Sequence, residues 1–226
     1  MNTVVLRIVL LVIGYGCGLL QTGVIISKLS GTDIRKHGSG NSGTTNALRV
    51  LGFKAGLIVF LGDFCKSLIP CLIVRFVLRD SYPDTYLLYV LYIGMGAVLG
   101  HIFPFYLKFK GGKGIATIGG LYVSLLQPIM IVVLLALFIA TIAISGYMSV
   151  GSICLMIECV IAYIIFGVIG KWCFDLSVPA SRNAFIEGAV VLTILAAIAI
   201  YKHKANIKRL MNHEESKFHF KKQEGV

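Results

Sequence analysis

Long uninterrupted apolar runs set the limits on what this chain can fold into. Residues 129–144 and 150–169 carry a single charged side chain between them, Glu158. Each run approaches the roughly 20 residues a helix needs to cross the hydrocarbon core of a bilayer. The chain as a whole is 57% hydrophobic and 14% charged, against about 45–50% and about a quarter in an average soluble domain. A membrane β-barrel would instead show short segments of alternating polarity. The expected fold is therefore all-α: a polytopic integral membrane protein, one membrane-embedded domain over residues 1–226.

Apolar runs and their breakers place spans at about 4–26, 54–77, 86–106, 115–127, 129–145, 147–169 and 185–201. The fourth is short and interrupted by Gly119 and Gly120 before Pro128; irregular backbone at that depth is tolerated only against protein or a polar cavity. The first span has an early cation, Arg7, but no small-residue cleavage site follows it, so it reads as a retained span. Charge sets the orientation. The segment after the first span holds Lys28, Arg35, Lys36, Arg49 and Lys54 against Asp33, and the segment after the third holds Lys108, Lys110 and Lys113 with no acid. The C-terminal tail holds Lys202, Lys204, Lys208, Arg209, Lys217, Lys221 and Lys222. The positive-inside rule makes these three segments cytoplasmic. The N-terminus then lies outside and the C-terminus inside, which needs an odd count and favours about seven spans. A net charge of +11 distributed in this way answers to orientation and to anionic lipid; no nucleic-acid partner is expected.

Within the spans, charges are costly and therefore informative. Asp63 and Lys66 share one helical face and are expected to pair, whereas Glu158 and Glu187 have no local partner. The six cysteines, Cys17, Cys65, Cys71, Cys154, Cys159 and Cys173, are scattered with no C-x-x-C pair. They read as small buried hydrophobes rather than metal ligands or disulfides.

Three polar segments carry more than charge. The first, "GSGNSGTTNALR", runs from Gly38 to Arg49. Gly38, Gly40 and Gly43 spell G-x-G-x-x-G, but a charged stretch precedes them where a dinucleotide site needs a strand. Its glycines allow backbone to approach an anion; Ser39, Asn41, Thr44, Thr45 and Asn46 supply neutral hydrogen-bond groups, and Arg49 a guanidinium fork. The second, "GHIFPFYLKFKGGKGIAT", runs from Gly100 to Thr117. Gly114 follows Lys113 where a Walker A loop needs Ser or Thr. What remains is Lys110, Gly111, Gly112, Lys113 and Gly114 opening a helix, an anion pocket in type, with His101 nearby. The third, "YKHKANIKRLMNHEESK", runs from Tyr201 to Lys217 and offers His203, Asn206 and Glu215 among its cations.

Together these segments resemble the bacterial acyl-phosphate-dependent glycerol-3-phosphate acyltransferases, the PlsY family. The first is similar to G-S-G-N-x-G-A-T-N-x-x-R, with Thr44 for alanine. The second matches G-H-x-F-P-x-x-x-x-F-K-G-G-K-G-x-A-T at every fixed position. The third is similar to H-R-x-N-I-x-R-L-x-x-G-x-E-x-K, with Lys204 for arginine and His213 for glycine. "DFCKS" at Asp63–Ser67 resembles D-x-x-K-G. "SGYMSVGSI" resembles R-Y-x-S-x-x-S through Ser149, with Gly146 for arginine. Gln21 stands where the family has proline. Lys204 keeps a charge but loses bidentate binding, and His213 lacks a glycine's freedom, so the tail is expected to turn differently.

The resemblance implies transfer of a fatty acyl group from acyl phosphate to the 1-hydroxyl of sn-glycerol 3-phosphate, giving 1-acylglycerol 3-phosphate and inorganic phosphate. It implies a site on the cytoplasmic side of the bacterial cytoplasmic membrane, with membrane lipid as the surroundings. No cofactor or metal is expected. A mixed anhydride already has a good leaving group, so positioning, charge neutralisation and proton removal suffice. Expected roles follow. Gly111, Gly112, Lys113 and Gly114 bind glycerol phosphate; Ser39 and Arg49 hold the donor phosphate; the two assignments are interchangeable at this stage. His203 and Asn206 orient and activate the hydroxyl, and Glu215 orients His203 or a cation. His101 is a second candidate base, and a substrate phosphate oxygen a third. Gly38, Gly40, Asn41, Thr45, Asn46, Lys110 and Ser149 complete the expected binding set. Rival chemistries lack their residues. None of His37, His101, His203, His213 or His219 has Asp five places on, and the aspartates other than Asp63 are dispersed in loops, unlike a Mg²⁺ site. A transporter of an anionic metabolite is the alternative; inverted repeats would mark it, and none is visible.

Overall fold

The computed structural model describes residues 2–169 and 174–218; Cys173, His219, Lys221 and Lys222 lie outside the described residues. Within them every regular element is helical. In chain order these are α1 (Thr3–Gly18), α2 (Thr22–Leu29), α3 (Thr44–Leu51), α4 (Phe53–Leu78), α5 (Tyr86–Ile102), α6 (Ile115–Leu125), α7 (Pro128–Ser145), α8 (Met148–Val168), α9 (Pro179–Lys202) and α10 (Lys204–Met211). Pro128 and Pro179 open α7 and α9 at the first-turn positions where proline fits a helix. The last span therefore starts before residue 185 and takes in Arg182.

Among the described residues six helices are long and apolar enough to cross a membrane, the first being Thr3–Leu29. The expected fourth span is α6, of 11 residues. It rises only about 16 Å, short of the roughly 30 Å hydrocarbon thickness. Large apolar side chains such as Ile8 and Val12 on α1, Ile129 and Val132 on α7, and Ile161 on α8 are exposed. This outward belt suits hydrocarbon, where every backbone polar group must be satisfied inside the helices.

At the centre stands α5, buried nearly throughout from Tyr86 to Ile102. It meets α1 through facing glycine pairs, Gly14 and Gly18 on one helix and Gly96 and Gly100 on the other. A Cβ at Gly14 would fall 2.0 Å from the Ile93 carbonyl oxygen, and one at Gly96 would fall 2.2 Å from that of Leu11. This is the small-xxx-small route by which membrane helices bring their backbones together. The spacing is plain in the sequence, and its consequence is the close seating of α1 against the residue before His101.

The first span is not continuous. It breaks at Leu19–Gln21, and the break is satisfied by side chains from elsewhere. Tyr106 Oη donates to the Leu19 carbonyl at 2.6 Å, and Lys66 Nζ to the Leu20 carbonyl at 2.7 Å. Gln21 is buried, and its Nε2 donates to the His101 carbonyl at 3.1 Å. Glutamine at this position thus stitches the break to α5.

The expected Asp63–Lys66 pair forms, at 2.8 Å. Glu187 finds its partners on other helices, Arg7 at 3.0 Å and the Tyr92 hydroxyl at 2.7 Å. Glu158 Oε2 is buried with no hydrogen-bond partner among the described residues.

Candidate active site

The three polar segments meet at one end of the bundle. Lys113 Nζ, just before α6, donates to Asn206 Oδ1 on α10. Asn206 Nδ2 donates to Glu215 Oε1 at 2.7 Å, Arg209 Nε to Glu215 Oε2 at 2.6 Å, and Ser149 Oγ to Glu215 Oε1 at 3.0 Å. One chain of bonds therefore joins the second segment, the tail and the start of α8. Glu215 orients Asn206 and Arg209; no bond joins it to His203. Burial pushes the Glu215 carboxyl up, but the hydrogen bonds from Asn206, Arg209 and Ser149 outweigh it and hold it below its ordinary value.

His203 is buried where α9 ends, and its Nδ1 lies 2.7 Å from the Ala199 carbonyl oxygen. A carbonyl only accepts, so Nδ1 carries the proton and Nε2 is left with its lone pair. Burial, then the nearby charge of Lys113, lowers the imidazole to about 4. The neutral, proton-accepting form therefore prevails at neutral pH. Lys113 is lowered to about 8, chiefly by burial; Glu215 opposes the shift, while Arg209 and Arg49 add to it.

The first segment splits into two roles. Asn46 is buried and holds its own loop: Nδ2 donates toward the carbonyls of Ile34 at 2.8 Å, Asn41 at 2.9 Å and His37 at 3.1 Å, and Oδ1 accepts from the Ser39 N–H at 2.8 Å. Gly38, at φ +58, wraps around it, since a Cβ there would meet Asn46 Oδ1 at 2.4 Å. Gly38 and Gly40 thus shape the turn rather than line the cavity, and Asn41 Oδ1 accepts from the Gly43 N–H at 2.8 Å. Ser39, Asn41, Thr44, Thr45, Asn46 and Arg49 line it. Arg49 makes no hydrogen bond or ion pair among the described residues and stays available to a ligand.

The glycine-rich loop also departs from expectation. The N–H groups of Gly111 and Gly112 donate to the carbonyls of Ile102 at 3.1 Å and His101 at 3.2 Å, so neither is free for an anion. The two glycines let the loop lie on the end of α5: a Cβ at Gly111 would fall 1.9 Å from the His101 carbonyl oxygen, and one at Gly112 would fall 2.1 Å from His101 Nε2. Lys110 is exposed and does not reach the cavity. The free donors lie one step on, at the start of α6, where Gly114 takes φ +89 as N-cap without a side-chain cap.

That start is one of three. The first turns of α3, α6 and α8 all lack a side-chain cap, and Thr44, Thr45, Ile115, Ala116, Met148 and Ser149 from those turns line the same cavity. Uncapped N–H groups at helix N-termini, reinforced by the helix dipole, are an anion's environment. The cavity, about 530 Å³, also takes in Arg49, Lys113, His203 and Asn206. Away from this polar mouth it is walled by Tyr122, Leu126, Leu134, Phe138, Met156 and Cys159. Among the described residues no three His, Cys, Asp or Glu side chains are grouped as metal ligands.

Two participants were missed from the sequence. Arg209 was hidden among the tail's other cations. Thr44, a neutral hydrogen-bond group of the first segment but outside the expected binding set, has its Oγ1 buried at the cavity without a hydrogen-bond partner among the described residues. Two substitutions are absorbed. His213 itself adopts φ +58, so the tail makes the left-handed turn open to glycine instead of turning differently. Gly146, at φ +78, ends α7, and its carbonyl accepts from the Phe218 N–H at 2.7 Å, drawing the tail over the α7–α8 turn.

Residues 8–213 match the model of the glycerol-3-phosphate acyltransferase family. The chain is 38% identical over 217 residues to the glycerol-3-phosphate acyltransferase of Clostridioides difficile (strain 630), covering 96% of this chain and 97% of that one. It is 36% identical over 209 residues to that of Bacillus subtilis (strain 168), covering 92% and 95%. Its fold matches the crystal structure of PlsY, an integral membrane glycerol 3-phosphate acyltransferase, in the glycerol 3-phosphate form. That match has a TM-score of 0.77 and 30% identity, covering 94% of this chain and 96% of the other. The lysophosphatidic acid form of PlsY matches with a TM-score of 0.75. The chain belongs to the glycerol-3-phosphate acyltransferase family.

Proposed function

We propose that the protein transfers a fatty acyl group from acyl phosphate to the 1-hydroxyl of sn-glycerol 3-phosphate, releasing 1-acylglycerol 3-phosphate and inorganic phosphate. The observation that carries this reading is a single cavity with three uncapped helix N-termini and two cations, Arg49 and Lys113, at its polar mouth and an apolar wall behind. Two phosphates and one fatty chain need that combination. Family membership favours acyl transfer over carriage of an anionic metabolite.

The roles follow from the geometry. Lys113 and the start of α6 hold glycerol 3-phosphate. Ser39, Arg49 and the start of α3 hold the donor phosphate. His203 Nε2 takes the proton of the attacking hydroxyl while Asn206 orients it. The oxygen bonds to the acyl carbon, the acyl–phosphate C–O bond breaks, and the departing phosphate leaves with its charge met by Arg49 and backbone N–H groups. The His203 proton then passes to the released phosphate, which restores the imidazole. The fatty chain lies along Tyr122, Leu134 and Met156, gaining about 0.8 kcal/mol per buried methylene.

We place the site on the cytoplasmic side of a bacterial cytoplasmic membrane, because the cationic segments gather there. In that arrangement α6, starting below the interface, is the short member of seven crossings of one domain. The test is product analysis with purified protein in detergent and isotopically labelled glycerol 3-phosphate. Labelled 1-acylglycerol 3-phosphate is expected from wild type and not from His203→Gln; equal yields from both would remove His203 from the reaction.

A further inference from the structure

Behind the glycine-rich loop lies a buried cluster that the proposed reaction does not use. Lys66 Nζ, in the middle of α4, is surrounded by three acceptors: the Leu20 carbonyl oxygen at 2.7 Å, Asp63 Oδ1 at 2.8 Å and His101 Nδ1 at 2.6 Å. Asp63, Lys66 and His101 are all buried. The Leu20 carbonyl is available because the first span breaks there, and Gln21 Nε2 holds the carbonyl of His101. An ammonium has three N–H donors and no acceptor. Three acceptors around one nitrogen, one of them a carboxylate, are the environment that keeps a buried lysine charged.

The consequence falls on His101. Facing an ammonium, Nδ1 accepts, so the ring proton resides on Nε2. Nε2 has no hydrogen-bond partner among the described residues. It lies beside Gly112, where a Cβ would come within 2.1 Å of it, and the imidazole borders the cavity. An N–H fixed in direction thus faces the loop that leads into the start of α6, with no side chain at Gly112 in its way.

We propose that His101 is a fixed hydrogen-bond donor to the phosphate held at Lys113 and the start of α6, and that Asp63 and Lys66 are positioning residues that set its tautomer. The reading rests on the proposed function for the identity of that phosphate, glycerol 3-phosphate. His101 is thereby a donor, not a second base. The two cavity histidines are set oppositely: the Ala199 carbonyl leaves His203 with a free acceptor, and Lys66 leaves His101 with a free donor.

The test has two readouts. In wild-type protein labelled with ¹⁵N-histidine, NMR is expected to show one buried imidazole, its ring proton slow to exchange with water, protonated at Nε2 and bare at Nδ1. That signal is identified by its loss in His101→Leu, and it shifts when glycerol 3-phosphate is added. Equilibrium binding of glycerol 3-phosphate, which needs no turnover, is expected to weaken about tenfold or more in His101→Leu, the effect of one hydrogen bond to a charged group. His101→Gln, which carries an N–H near the Nε2 position, is expected to recover most of that loss. A His101 ring bare at Nε2, or unaltered binding in His101→Leu, would overturn the proposal. The tautomer is read on wild type, where the opposite tautomer of His203 leaves one Nε2-protonated cavity ring to find, so it still decides if the leucine variant does not fold. If glycerol 3-phosphate binds but is not acylated, the functional reading fails while the donor role stands.

Discussion

Replacing Lys113 by methionine tests the acceptor site while keeping an unbranched side chain of similar length in place. One of the three ammonium protons is engaged by Asn206 Oδ1, which leaves two for the phosphate. Losing a single charge-assisted hydrogen bond costs about 1.5–3 kcal/mol, equivalent to roughly ten- to a hundredfold in kcat/KM for glycerol 3-phosphate. The loss is expected mainly in KM, since a phosphate remote from the reacting hydroxyl is held alike in ground and transition states. A second signature follows from the lowered value of about 8 at Lys113. The cation is present below that pH and lost above it, so wild-type kcat/KM falls as pH rises through about 8. The methionine variant has no such limb. Its deficit against wild type is therefore largest near neutrality and shrinks at alkaline pH. The assay is initial-rate kinetics with glycerol 3-phosphate varied at fixed acyl phosphate over a pH series. An unchanged KM, or a deficit independent of pH, would refute the assignment of Lys113.

Other outcomes are expected elsewhere. On the acid side, His203 at about 4 stays neutral far below the usual histidine range, so its ring is expected to remain uncharged to about pH 5 in a ¹⁵N NMR titration without substrate; protonation near the ordinary histidine value of about 6.5 would count against it as the base. Gly119 lines the cavity, and a Cβ there meets only Phe64, at 3.7 Å. Gly119→Leu is expected to fold but to disfavour long acyl donors, by about fourfold in kcat/KM for each methylene excluded from burial, measured over a chain-length series. Gly96→Val would push a Cβ toward the Leu11 carbonyl and part α1 from α5, costing about 1–3 kcal/mol or more, read as a lower melting temperature in detergent together with lost activity. His213→Gly relieves a left-handed residue and is expected to stabilise the tail by about 1 kcal/mol, read as slower proteolysis there.

The sequence spoke clearly where local rules govern. Apolar run length located the six helices of membrane-crossing length among the described residues, while the run at 115–127 holds only the 11-residue α6; the Asp63–Lys66 spacing announced its bond. It also announced three converging patches, because glycines, cations and hydroxyls had no reason to cluster in a chain this apolar. It spoke poorly where partners come from distant helices. Glu187 looked alone because Arg7 lies on α1. The Gly14/Gly18 and Gly96/Gly100 pairs carried a readable spacing, yet only their facing across α1 and α5 gives it meaning. In the glycine loop the expected donors and the unbonded ones differ. The sequence does not show that Gly111 and Gly112 give their N–H groups to α5, which leaves the uncapped N–H groups at the start of α6. Asn46 borders the cavity, but its hydrogen bonds go to its own loop, a role as peg that the linear sequence does not show. The tautomers of His101 and His203 depend on Lys66 and on the Ala199 carbonyl, contacts invisible to any reading along the chain.

The account rests on a cavity that takes an acyl phosphate beside glycerol 3-phosphate, and donor competition measures this most directly. Purified protein in detergent would be given glycerol 3-phosphate with either acyl phosphate or the matching acyl thioester. Release of inorganic phosphate and formation of 1-acylglycerol 3-phosphate would be followed together. The expected result is one phosphate released per acyl group transferred, from acyl phosphate alone and only when glycerol 3-phosphate is present. Acylation from the thioester, or phosphate release without the acceptor, would contradict it.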